Sequence, residues 1–215
     1  MFSLRHLAMT PMRLLCKKPW PLSKALAPML DERTPVEEES SPFYNPAHFY
    51  SAHLGEILND RYQIATKLGH GARSTIWLAR DLHQYATSLS TVPRLTCLTW
   101  RWSDERYVAV KINATGERET SPQHELEIHQ LVLNANRRHR GWQFVRQLRD
   151  SFMVDGSSGG HICLVFEPLR EPLDIYKKRF RNGVIPSIYL KITLQMILHA
   201  LDYLHSECRL IHTGE

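Results

Sequence analysis

Apolar and polar positions begin to alternate at Tyr62, and the alternation predicts strands over Tyr62–Leu68, Thr75–Arg80, Tyr107–Ile112, near Val145–Val154 and over His161–Phe166. The first two are joined by Gly69-His70-Gly71-Ala72-Arg73-Ser74, a polar turn in which two glycines permit a tight backbone reversal. The last two are separated by Asp155-Gly156-Ser157-Ser158-Gly159-Gly160, a loop by composition. Hairpin connections usually take about two to five residues, so the weakly periodic stretch 81–106, with Trp100 and Trp102, is an insertion. Ser121-Pro122 opens a helix, with serine as N-cap, proline at the first position and Ile128, Leu131, Val132 and Ala135 as its buried stripe. A second helix opens at Pro186 with the stripe Ile192, Met196, Ile197, Ala200, Leu201 and Leu204. Five strands with one inserted helix, then helix, is an α+β order.

Composition changes the picture mainly at the N-terminus. The formal net charge is +5, and before Asp31 there are five basic residues (Arg5, Arg13, Lys17, Lys18, Lys24) and no acid, which equals the whole excess. Interleaved with Phe2, Leu4, Leu7, Met9, Leu14, Leu15 and Leu22, residues 1–30 have the composition of a mitochondrial presequence. Four prolines there would break a long helix, and a basic tail without a targeting role fits equally. Residues 31–53 form a linker, acidic at Glu37-Glu38-Glu39 and aromatic at Phe43-Tyr44 and Phe49-Tyr50. With the remaining charge balanced, direct nucleic-acid binding has little basis, and the run Arg137–Arg140 is a solvated helix end. No run approaches the roughly 18 apolar residues of a membrane span. The four cysteines and twelve histidines show no metal-ligand spacing, so no structural metal is expected, and Cys163 reads as a buried core thiol.

Candidate chemistry centres on the glycine turn and Val108-Ala109-Val110-Lys111. Glycines let backbone N–H groups approach phosphate oxygens, a small alanine leaves room for a flat ring, and lysine supplies a point charge. Phosphoryl transfer asks mainly for such positioning and charge neutralisation. A carboxylate from the following helix should hold Lys111, and Glu125 and Glu127 are the candidates. Leu131 lies one turn beyond Glu127 and would place it at the edge of the buried stripe, whereas His129 follows Glu125, so Glu127 is selected.

The glycine loop, Val108–Lys111, Glu127, His161–Leu169 and Leu201–Thr213 together resemble eukaryotic protein kinases. The lead-in His53–Tyr62, Ser74 and the pair His212-Thr213 are similar to the SR-protein-kinase-like serine/threonine kinases, particularly the fungal set. The resemblance implies a protein-kinase-like α+β fold, with a five-stranded antiparallel N-lobe sheet, its C-helix and only the first helices of the C-lobe. The N-lobe and hinge would take residues 54–169, with the insertion at 81–106, and the start of the C-lobe 170–215. It further implies ATP with Mg2+, and Ser/Thr side chains of Arg/Ser-rich proteins as acceptors. Leu68, Ile76 and Ala109 would line the adenine slot, and Gly69, His70, Gly71, Ala72, Arg73 and Ser74 would cover the phosphates. Lys111 would contact the phosphates while paired with Glu127. Phe166 would be the gatekeeper, with Glu167 and Leu169 backbone at the adenine edge. Gly214 stands where the family has its catalytic aspartate, so this polypeptide alone is expected to transfer no phosphate. A catalytically inactive nucleotide- or partner-binding regulatory fragment is the alternative. Thr213-Gly214-Glu215 is also encodable by an exon end and intron start, consistent with intron read-through. For location, the family implies cytoplasm and nucleus, and the leader mitochondria.

Overall fold

The computed structural model describes residues 14–22, 31, 34–41, 44–85, 106–116 and 122–211. Its strands are β1 (Leu14–Cys16), β2 (Ile57–Leu58), β3 (Tyr62–Gly71), β4 (Ser74–Asp81), β5 (His83–Tyr85), β6 (Tyr107–Asn113), β7 (Leu148–Gly156) and β8 (Gly159–Phe166). The α-helices are α1 (Pro122–Asn134), α2 (Leu173–Tyr176) and α3 (Ser187–Ser206). The helix N-cap expected at Ser121, most of the insertion and His212–Glu215 lie outside the described residues.

Six strands form one antiparallel sheet in the order β2-β3-β4-β6-β8-β7, and β1 pairs separately with β5. The sheet therefore has one strand more than the five expected. The addition is β2, turned back onto β3 by Asn59 and Asp60 at positive φ (49° and 50°), a conformation that Asn and Asp tolerate better than most residues.

Alternation along the central strand β6 divides the core. Val108, Val110 and Ile112 join Leu58, Tyr62, Ile64, Ala79, Cys163 and Val165 on one face. Tyr50 and Ala52 close over that face, so the chain packs on the sheet from upstream of residue 54, its aromatics supplying apolar area that the short edge strand lacks. Cys163 is fully buried, and burial pushes its thiol up to about 12. On the other face Leu148, Leu164 and Phe166 pack against Leu126 of α1.

One polar cluster stitches three strands together. Arg61 forks onto Asp81 (Nε–Oδ1 2.8 Å, Nη2–Oδ2 2.9 Å) and reaches Asp150 Oδ2 at 3.3 Å. The hydroxyl of Tyr62 donates to the same Asp150 oxygen at 2.7 Å, and its ring stacks on Phe152. Asp81 is 1% exposed, which a carboxylate tolerates because the bidentate guanidinium satisfies it. Its N–H donates to Arg106 O at 2.9 Å, so both ends of the insertion meet at the sheet.

The helical stripes differ from expectation. Leu131 of α1 is 46% exposed, and Val132 is the buried member, packed with Tyr203 and Cys208. On α3, Ile192, Met196 and Ile197 are also exposed, because the helix is packed through its last turns, against the 3-10 turn Arg140–Phe144 and α1. That junction is tight: a Cβ on Gly141 would run into the carbonyl oxygen of His199, and the buried Tyr203 hydroxyl donates to Val132 O at 2.6 Å.

Gly141→Ala should therefore destabilise the fold by about 1–3 kcal/mol through overpacking, and Tyr203→Phe by about 1–2 kcal/mol through the lost hydrogen bond. Urea unfolding followed by circular dichroism measures both.

Candidate functional site

The glycine turn is a tight hairpin. Pairing runs to Gly71↔Ser74, leaving Ala72 and Arg73 at the tip. Gly69 sits at a register shift of β3 with φ +155° and nothing near its Cβ position, a backbone conformation that side chains rarely adopt. The tip is tied to the chain after β6, with Ala114 N–H donating to Arg73 O at 2.9 Å and Arg73 Nη2 to Gly116 O at 3.2 Å. Ser74 is buried beside Gly71, whose Cβ would come to 3.0 Å of the serine oxygen.

Directly opposed residues of a sheet share a face. Ile76 opposes Lys111, Lys111 opposes Leu164, and Ala109 opposes Phe166, which places Ile76, Ala109, Lys111 and Phe166 on the face covered by α1. Ala109 and Phe166 are buried, whereas Leu68, at the hairpin's bulge, is half exposed. Glu167 and Leu169 follow β8 and are exposed, and Glu167 pairs with Arg149.

Lys111 Nζ meets Glu125 Oε1 at 2.6 Å, not Glu127. Glu127 is exposed and lies 3.8 Å from His124. Because Leu131 turns outward, the residue one turn before it turns outward too, and α1 presents Glu125, Leu126 and His129 to the sheet instead. His129 Nε2 stands 3.7 Å from the same Glu125 oxygen, and Asn113 Nδ2 donates to Glu125 Oε2 at 3.3 Å. Burial raises the Glu125 carboxyl, but hydrogen bonds and positive charge from His129 and Lys111 outweigh it and hold the group at about 2.

Phe166 meets the His129 ring edge-on at 4.9 Å and carries the Arg146 guanidinium 4.2 Å over its own ring. Burial lowers the Arg146 pKa, partly countered by Glu125. From the sequence Glu125 was the candidate carboxylate passed over, and His129, Asn113 and Arg146 had no role; the one available signal was the i,i+4 spacing of Glu125 and His129. Among the described residues no group of three or more His, Cys, Asp or Glu side chains converges, so protein ligands for a magnesium ion are not assigned there. Gly214 lies outside the described residues.

No protein-family model matches the chain. The chain is 35% identical over 188 residues to a serine/threonine protein kinase of Aspergillus fumigatus, which covers 87% of this chain and 42% of that protein. It is 34% identical over 180 residues to the serine/threonine-protein kinase SRPK of Physarum polycephalum, covering 82% and 37% respectively. Protein kinase dsk1 of Schizosaccharomyces pombe is 33% identical over 186 residues, covering 85% and 30%. The chain thus spans less than half the length of these relatives.

The depressed Glu125 carboxyl contributes stability above its ordinary value of 4.5, and this is lost as pH falls toward about 2. The stability difference between wild type and Glu125→Gln should be largest near neutral pH and shrink steadily below about pH 4.5. Urea midpoints measured across that range check it.

Proposed function

We propose, because the chain belongs to the SR-protein-kinase-like serine/threonine protein kinases, that its sheet and α1 hold ATP for phosphoryl transfer to Ser/Thr side chains of Arg/Ser-rich proteins. The observation that carries the nucleotide site is the 2.6 Å pair between Lys111 and Glu125 on the sheet face that also bears Ala109, beside a glycine hairpin. An ammonium fixed by a carboxylate is a positioned charge for phosphate oxygens, and a transfer that is mostly positioning and neutralisation needs little else from this part of the chain.

In this reading Leu68, Ile76 and Ala109 bracket the adenine, and backbone from Gly69 to Ser74 covers the phosphates. Glu125 takes the role first given to Glu127, and Asn113 and His129 hold its carboxylate in place. Phe166 closes the back of the slot, with the Glu167 carbonyl and Leu169 backbone at the adenine edge. Bound magnesium would supply further phosphate neutralisation, through ligands not assigned among the described residues. The second reading, nucleotide binding without transfer, is favoured by Gly214, which offers no carboxylate to accept the substrate hydroxyl proton.

ATP should raise the melting temperature of the 215-residue polypeptide in a concentration-dependent way, and Lys111→Ala should weaken ATP binding by about ten- to a hundredfold. Thermal-shift titration measures both, and absence of any nucleotide effect on a folded chain overturns the site. On the second reading the same polypeptide should transfer no labelled phosphate to an Arg/Ser-rich peptide. Transfer that disappears in Lys111→Ala would refute the second reading.

A further inference from the structure

Gln63, Arg80 and Tyr107 form one row across three strands, Gln63 opposing Arg80 and Arg80 opposing Tyr107. Arg80 and Tyr107 share their face with Ile76, Ala109 and Lys111, toward the strand ends away from the glycine hairpin. The segment Lys17–Leu22 lies on this row. Gln63 Oε1 accepts the Trp20 N–H at 2.8 Å, and Gln63 Nε2 donates to Trp20 O at 2.9 Å and to Gly55 O at 3.2 Å. The guanidinium of Arg80 stands 4.7 Å over the Trp20 ring while its Nη1 donates to Lys18 O at 3.1 Å, and Tyr107 flanks the ring at 6.3 Å. Gly55, at φ +84°, admits Leu22 where a Cβ would meet its Cδ2 at 2.5 Å.

The chemistry of the segment explains this mode of contact. Pro19 and Pro21 lack N–H groups, so Lys18-Pro19-Trp20-Pro21 cannot zip onto a strand through its backbone. Within Pro19-Trp20-Pro21 only Trp20 has both a backbone donor and a backbone acceptor, and the Gln63 amide matches both. The prolines also hold themselves, Lys18 and Trp20 extended, which lowers the entropy lost on docking. Gln63 is 2% exposed, and two of its three hydrogen bonds end on this segment.

We propose that the Gln63–Arg80–Tyr107 row, with Gly55, is a peptide-docking site for an extended Pro-Trp-Pro segment, and that its occupant is the chain's own residues 17–22. The segment is then an integral clip of the folded unit. It continues through Lys17 N–H, which donates to Leu82 O at 2.7 Å, into the β1–β5 pair at the base of the insertion. This inference does not depend on nucleotide binding.

Hydrogen exchange on the full chain tests it, with the Trp20 amide as reporter and the β6 amides as a control for global folding. In the wild type the Trp20 amide should exchange at least about tenfold more slowly than an unstructured peptide amide. Trp20→Ala removes the ring from the peptide side and should return the residue 20 amide to the unstructured rate with β6 protection intact. Gln63→Leu should do the same from the sheet side. A wild-type Trp20 amide exchanging at the unstructured rate overturns the proposal, as does protection that survives Trp20→Ala. Should Gln63→Leu also unprotect β6, the Trp20→Ala result alone decides.

Discussion

The pleat of β6 is the constraint from which the rest of the architecture follows. A central strand flanked by β4 and β8 must send successive side chains to opposite faces, and Tyr107–Asn113 uses both. Val108, Val110 and Ile112 go to the apolar core beneath Tyr50 and Ala52, while Tyr107, Ala109 and Lys111 go to the face under α1. A one-residue slip would bury the Lys111 ammonium among Tyr62, Ile64 and Val165 and move Val108, Val110 and Ile112 out of the apolar core onto the face that carries Glu125. The cost of that exchange pins the register, and the register places both the Lys111–Glu125 pair and the Arg80–Tyr107 platform.

Charge is handled differently at the two ends of this face. Near the hairpin, Glu125 is shared by Lys111, His129 and Asn113 in a partly open setting, the arrangement on which the proposed nucleotide site rests. On the flank of the sheet, Asp81 is buried and held by both arms of Arg61, an arrangement with no capacity left for a ligand. The second fixes the strands that carry the first. Arg80, next to Asp81 in sequence but on the other face, turns from structural work to holding Trp20.

The helices contribute unevenly. Helix α1 is committed to the sheet through Leu126 and His129 and to α3 through Val132. Helix α3 is held over its last turns by Tyr203 and the close approach of Gly141, while its first half is apolar and exposed. Its own periodicity does not pick out a buried face, because apolar residues occur nearly all round it.

Most of the strands, both long helices, the glycine hairpin and Lys111 were legible from local sequence, since alternation, turn residues and a lysine at a strand end act within a few positions. Their chemistry also carried the family resemblance. What local pattern could not supply was the rotation of α1. Leu131 has the right spacing for a buried stripe, yet α1 meets the sheet through Leu126 and His129, which leaves Leu131 in solvent and puts Glu125 rather than Glu127 beside Lys111. Nor did the sequence indicate that Gln63, Arg80 and Tyr107, far apart along the chain, stand side by side, because cross-strand neighbours are set by sheet register alone. By itself the sequence determined which elements form and which residues have the chemistry to act. The tertiary structure decided which carboxylate holds Lys111 and that a basic Pro-Trp-Pro segment lies on the sheet, because both depend on surfaces that exist only once the strands are paired.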